Sequence, residues 1–316
     1  MRIDVHAHYY PLELINLFDR LNGPLNAIPS ALWTDQEQHE IGLRLGLMDA
    51  AGVAIQVLSV SSLFPYFASE ADAVNAARIS NDLYAELIGR FPHRFRAFAA
   101  LPLPHIEASL KELARTLDEL GMAGVTVGVT VMGKSIADSV FEPLYAELNR
   151  RAAVLFMHPD GSACPSLVRN HRLTWPIGAP FEDTLFALHL IQKTIPIRYP
   201  KIRFIVPHLG GMLPMILPRL DNQAQMFMPP DCERPSVTAR RLWYDTVGHG
   251  SIAALRCACA GFGAERLLLG SDYPYQNHEL YKRAITYVLD ALSKDDAELI
   301  LDRNAAALLN LADMNK

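Results

Sequence analysis

Long hydrophobic runs are missing from this sequence: half of its 316 residues are apolar, yet nowhere do they continue far enough to span a bilayer. The opening Met1-Arg2-Ile3-Asp4-Val5-His6 lacks the charged segment followed by an apolar stretch that marks a signal peptide, so the expectation is a cytoplasmic protein. Blocks of one charge are also missing. The 29 basic residues face 34 acidic ones for a net charge of −5, a balance that argues against nucleic acid and anionic membranes as partners. Cysteine is scarce, and Cys164, Cys232, Cys257 and Cys259 are too few for a disulfide framework. Cys257 and Cys259, two apart in the helical AALRCACAGFG, do not share a face and read as small core or helix residues. No repeat, low-complexity tract or linker divides the chain, so one domain over residues 1–316 is expected.

What is present is an alternation. Short runs rich in Val, Ile, Leu and Phe predict strands at Arg2–Val5, Val53–Val60, Phe95–Leu101, Gly124–Val129, Val154–Met157, Ile202–Pro207, Leu242–Val247 and Leu267–Gly270. Their near-continuous apolar character suits parallel strands covered on both faces. Helical patterns separate them: Glu37–Ala51, Glu70–Phe91, Ile106–Leu120, Phe141–Ala152, Glu182–Ile195, Leu213–Gln225, Ser251–Phe262 and Leu280–Leu292, with an extra C-terminal helix over Lys294–Asn310. Eight strand–helix units is the count of an α/β protein of the (β/α)₈ TIM-barrel class. The rival, a doubly wound open sheet, more often shows a glycine-rich phosphate turn after its first strand, where this chain has His-Ala-His-Tyr-Tyr-Pro. Loops are expected at Asn22–Asp35, Asp160–Pro180 and Met228–Ser236, and long loops in a compact domain are often functional.

The first strand runs into His6-Ala7-His8, and in an extended segment residues i and i+2 point to one side, so both imidazoles can face one point in the barrel mouth. Further polar residues stand where other apolar strands stop: His158 after VLFM, His208 after FIVP, and Asp272 after LLLGS. In barrel enzymes that end carries the active site. Three imidazoles and one carboxylate form a nitrogen/oxygen donor set suited to zinc, with Mn²⁺ or Fe²⁺ as alternatives. Binuclear barrels of this kind usually bridge their metals with a modified lysine at the end of strand 4. Gly124–Val129 contains none, and Lys134 lies beyond it, so one metal is predicted.

Taken together, RIDVHAHYYP, MDAAGVAIQVLS, RFRAFAALPL, LFMHP, HLGG and LLLGSDYP resemble, over nearly the whole chain, the amidohydrolase-superfamily branch typified by 2-amino-3-carboxymuconate-6-semialdehyde decarboxylase. The resemblance implies that His6, His8, His158 and Asp272 are metal ligands and that His208 is the acid/base. It matches Trp175, in LTWPIGAPFEDT, to a tryptophan over the pocket. Arg219 matches an arginine that in the type enzyme reaches the carboxylate in a neighbouring subunit's site, which implies a homodimer. One departure stands out: the type enzyme takes a second carboxylate-binding arginine from the loop after strand 1, and Asn22–Asp35 holds neither arginine nor lysine. That departure bears on the type enzyme's own substrate and leaves the metal centre intact.

The expected function is therefore a metal-dependent carboxy-lyase acting on a small unsaturated or aromatic carboxylic acid, with a metal-bound water and His208 managing a proton. The same parts would serve a hydrolase of a lactone or amide, in which Asp272 takes the proton of the attacking hydroxide, or a hydratase of a conjugated acid. A non-catalytic metal-binding barrel is the reading from a different class. His249, between two glycines after strand 7, is a pocket candidate, as are Tyr275 and Phe64, and His171 between Arg169 and Arg172 could greet an acidic substrate.

Overall fold

The computed structural model describes residues 1–25, 32 and 37–311. Eight parallel strands follow one another around a sheet in chain order. They are β1 (Arg2–His8), β2 (Val53–Ser59), β3 (Phe95–Ala100), β4 (Gly124–Gly128), β5 (Val154–His158), β6 (Arg203–Val206), β7 (Trp243–Asp245) and β8 (Leu267–Leu268). The segment after β8 returns to β1: Val5 N–H donates to Leu269 O at 2.9 Å, Asp272 N–H to His6 O at 2.8 Å and His8 N–H to Tyr273 O at 2.7 Å. The barrel is thereby nearly closed, as the run of strand–helix units predicts.

The main helices are α1 (Leu12–Arg20), α2 (Glu37–Ala51), α3 (Glu70–Arg90), α4 (Ile106–Asp118), α5 (Glu142–Arg150), α6 (Ala179–Gln192), α7 (Leu213–Gln223), α8 (Ile252–Phe262) and α9 (His278–Ala291). Their apolar faces and the outward strand residues form the larger buried cluster, which includes Leu58, Leu113, Leu155, Phe186 and Leu255. A second cluster fills the barrel itself, with Ile3, Val5, Ile55, Val57, Phe98, Phe156, Ile205 and Leu268 packed together. The expected C-terminal helix is broken into Lys294–Glu298, a wide turn at Leu299–Arg303 and Asn304–Leu308. Its end is recruited to this inner cluster through Ala305, Ala306 and Leu308, so burial of the barrel's lower mouth overrides continuous helix.

Two local departures matter for the site. β1 runs on to His8, placing both histidines within the strand, where the sequence suggests that the strand stops at Val5. Its pairing with β2 slips by one residue between Asp4 and Ala7. This bulge resets the alternation, so that Ile3 and Val5 below it and His6 and His8 above it all face the interior. The expected loop at residues 160–180 carries a short helix, Ser166–Asn170, and a turn, Thr174–Gly178. Most of the expected Asn22–Asp35 loop lies outside the described residues. No helix among the described residues is long and apolar enough to cross a membrane.

Candidate metal centre

The C-terminal ends of β1 and β5 and the loop after β8 bring His6, His8, His158 and Asp272 together, all buried, with one potential ligand atom from each within 4.8 Å of every other. His6 Nε2 lies 3.1 Å from His8 Nε2. Asp272 Oδ1 lies 3.4 Å from the former and 3.2 Å from the latter.

For His6 and His158 the opposite ring nitrogen fixes the form of the imidazole. His6 Nδ1–H donates to the Asp245 carboxylate at 2.6 Å, and His158 Nδ1–H donates to the Pro159 carbonyl at 2.7 Å. A neutral ring so engaged presents a bare lone pair at Nε2. His158 Nε2 is buried with no hydrogen-bond partner among the described residues. Lone pairs converging in a dry pocket beside a carboxylate repel one another unless a cation lies between them, so these residues fit a metal.

Electrostatics points the same way. Burial, reinforced by His8 and His6, holds His158 well below the ordinary histidine range. Burial lowers His8 to about 4 against the opposing pull of Asp272. Burial alone would raise Asp272, but its hydrogen bond with His8 and the neighbouring imidazoles carry it down to about 2. Neutral imidazoles and an ionised carboxylate are the ligating forms.

An outer layer fixes this cluster. Asp245, the last residue of β7, accepts from His6 through one oxygen and from the His208 backbone N–H, at 2.9 Å, through the other. Asp4 accepts from the His6 N–H at 3.1 Å, the Ser271 N–H at 3.0 Å and the Ser271 hydroxyl at 2.6 Å. The fully buried Arg44 of α2 donates to the His8 carbonyl and, through Gln56, braces Asp4, while its guanidinium sits 4.3 Å over the Tyr273 ring. Three strands and a helix thus lock two ligands in place.

His208 follows β6 and stands apart from the four, its ring centroid 5.3 Å from that of His6 and 5.8 Å from that of His158. Its Nδ1–H donates to Asp183 Oδ2 of α6 at 2.8 Å. Burial alone would depress His208, but the Asp183 carboxylate overcomes it and pushes the imidazole up to about 9. Backbone strain accompanies the site: His208, Leu209, His249 and Asp272 all have positive φ. Gly211 completes the His208 turn at φ +62°, where a Cβ would collide with the Pro180 carbonyl and the Thr184 hydroxyl.

A cavity of about 870 Å³ opens from this centre. Of the residues singled out in the sequence, His158, His208, Asp272, Trp175, His249 and Tyr275 line it. Phe64 does not: it is buried and stacks on Tyr66 at 5.1 Å. Arg219 is exposed on α7 away from the lining, and Arg169, His171 and Arg172 are exposed in the loop after β5. Cys257, read from sequence as a core or helix residue, also borders the cavity. Asp4, Asp183 and Asp245 were not singled out. The available signal was a lone carboxylate inside an apolar run, as in RIDV and LWYDTV.

A family model described as amidohydrolase matches residues 3–311. The chain is similar to the 2-amino-3-carboxymuconate-6-semialdehyde decarboxylase of Dictyostelium discoideum, 29% identical over 100% of this chain and 93% of that protein. It is similar to a 6-methylsalicylic acid decarboxylase of Aspergillus aculeatus, 30% identical over 91% of this chain and 88% of that one. Among solved structures, a dihydroxybenzoic acid decarboxylase from Polaromonas sp. JS666, with bound manganese and 2-nitroresorcinol, aligns with a TM-score of 0.81 at 24% identity, over 98% of this chain and 97% of that one.

Proposed function

We propose that this chain, which belongs to the amidohydrolase family, is a metal-dependent carboxy-lyase that removes CO₂ from a small aromatic carboxylic acid. The observation that carries the reading is the buried ligand set beside a histidine that is hydrogen-bonded through Nδ1 to the buried Asp183, on one cavity. His6, His8, His158 and Asp272 hold one divalent cation. The imidazole-rich set suits zinc, and manganese, present in the Polaromonas structure, is the alternative. When bound, the cation would supply a fixed positive charge that holds the acidic oxygens of the substrate and keeps its phenolic oxygen ionised, which leaves the ring electron-rich enough to accept a proton.

The chain's own residues do the rest. Trp175 and Tyr275 flank the substrate ring, and the apolar walls exclude water. The His208 imidazolium, oriented through Nδ1 by Asp183, gives a proton to the ring carbon that bears the carboxylate. The bond from that carbon to the carboxylate then breaks, its electron pair returns to the ring, and CO₂ leaves. His208 is left neutral and is reprotonated from solvent. The pull of Asp183, which raises His208 to about 9, favours an acid role over activation of water and so decarboxylation over lactone or amide hydrolysis.

Purified protein loaded with Zn²⁺ or Mn²⁺ is expected to release one CO₂ per 2-hydroxybenzoate or 2,6-dihydroxybenzoate consumed, with one metal per chain by elemental analysis. Full metal occupancy with no CO₂ from any hydroxybenzoate would sink the reading.

Arg219 is exposed on α7, near the exposed Met212 and Met215 of the same segment, and no described residue pairs with it. We infer a homodimer in which Arg219 of one copy reaches the reacting carboxylate in the other. The mass in solution should be twice 35.1 kDa, and Arg219→Ala should raise KM by roughly tenfold or more. A monomer at assay concentration contradicts this arrangement.

A further inference from the structure

Away from the metal, the cavity runs between the start of α7 and one face of α8. Met212, Pro214 and Met215 form one wall, and Ala253, Ala254 and Cys257 form the other. On α8, Cys257 stands four residues after Ala253 and three after Ala254, the spacings that bring helix side chains together, and all three are small, so that the wall is set back. At about 870 Å³ the cavity falls toward the upper end of pockets that hold drug-sized ligands, roughly 300–1,000 Å³.

The charge of this branch decides what enters it. Among the described residues that line the cavity there is no lysine or arginine, and the sequence of residues 22–35 contains none. The one cation expected from outside the chain, Arg219 of a second copy, serves the reacting carboxylate in the arrangement above. Met212, Met215 and Ala253 offer a second carboxylate no side-chain hydrogen-bond donor, whereas methylenes there would cover apolar surface that is otherwise exposed to water.

Building on the decarboxylase reading, we propose that the substrate is an aromatic monocarboxylic acid bearing an apolar chain of several carbons, and that this chain lies between α7 and α8. The residues at Ala253, Ala254 and Cys257 set the permitted length. The ring and its acidic group stay at the metal, and the chain extends toward the cavity mouth at Met215, which is exposed.

The test measures binding separately from turnover. Metal-loaded wild-type protein is titrated calorimetrically with 2-hydroxybenzoates carrying ethyl, propyl or butyl at each open ring position, with unsubstituted 2-hydroxybenzoate, and with benzene-1,3-dicarboxylate. For the position that aims into the branch, affinity should rise about fourfold per methylene, and the dicarboxylate should bind more weakly than the butyl compound. Ala253→Phe, at an exposed position that tolerates a larger side chain, should cut the butyl-over-unsubstituted ratio at least tenfold. Ala254→Leu gives the same reading should the first variant fold poorly. Flat affinity across the series, a dicarboxylate that binds as tightly as the butyl acid, or an undiminished ratio in a folded variant overturns the proposal. CO₂ release is scored on the same compounds: tight binding without CO₂ refutes decarboxylation alone, and CO₂ release without chain-length preference refutes the apolar branch alone.

Discussion

Replacing His208 with glutamine is expected to lower kcat by about 10²–10⁴-fold while leaving metal content at one per chain, because it removes the proton donor without touching a ligand. The neighbouring Asp183→Asn variant separates proton donation from general disruption. Asp183 is fully buried and accepts from His208 Nδ1 at 2.8 Å. Burial raises its own carboxyl to about 6, with the His208 charge working against that rise. The charge that remains on Asp183 is what lifts His208 to about 9 against burial. An acid that must be protonated works below its pKa, so wild-type activity should be flat through neutrality and fall on the alkaline side, at about 9 or lower once a dication stands nearby. In Asp183→Asn the upward pull is gone and burial remains, so the alkaline limb should move to lower pH. At pH 8 the variant should be strongly impaired, and lowering the pH should restore part of the rate. A pH–kcat profile checks this. An alkaline limb that stays in place would show that Asp183 does not set the protonation of His208.

The same dyad carries a stability signature. The folded pKa of His208 lies above the ordinary value of 6.5, so its contribution to stability is complete below about 6.5 and is lost as pH rises through about 9. Asp183 acts through a lower window: its raised pKa favours the folded state below the ordinary 3.8, and that advantage is lost as pH rises through about 6. The two windows barely overlap, so a thermal-denaturation series across pH can distinguish them.

Much of this was legible in the sequence, for a reason that lies in the geometry of the barrel. Parallel strands buried on both faces read as short apolar runs, and their C-terminal ends share one mouth, so polar residues at those ends meet in space although up to 266 positions separate His6 from Asp272. The His6/His8 pair needed only the two-residue period of a strand. Asp272 was harder, since β8 ends at Leu268 and the backbone bond from Asp272 to the His6 carbonyl, four residues later, is what brings it into place. The outer carboxylates were not legible because their meaning is a partner on another element: Asp245 belongs to His6 and Asp183 to His208. Arg44 is the clearest case. Nothing in the helical pattern of α2 marks it as buried, yet it is 1% exposed, and its burial is compensated by Glu40, Gln56 and the His8 carbonyl. Phe64 shows the same limit from the other side: in sequence an aromatic beside a strand end looks the same whether it faces a pocket or sits in the core, and here it packs against β4 at Gly128.

Removing the metal, by chelation or by His158→Ala, is expected to abolish CO₂ release, and the two routes should differ in stability. A cation bound to the folded state at a hundred times its Kd stabilises it by about 2.7 kcal/mol. For a chain of 316 residues, that is a Tm increase of roughly 4 °C, taking about 2.1 cal/mol/K of unfolding entropy per residue. Wild-type protein should therefore show a metal-dependent Tm and the variant should not. Without metal, the wild-type centre is a poor environment for its own residues. His158 Nε2 is buried without a partner, and His8 is lowered to about 4, so it would take up a proton more readily unfolded than folded. Stability of the metal-free protein should accordingly decline as pH falls from about 6.5 toward about 4. Truncating His158 removes one unsatisfied buried group, which offsets part of the cost of the space it leaves. The metal-free variant is thus expected to melt close to metal-free wild type, and both below the metal-loaded protein. Scanning calorimetry with and without one equivalent of Zn²⁺, alongside elemental analysis, checks each arm. A variant that still gains Tm on adding metal would mean that the cation is held by a different set of ligands.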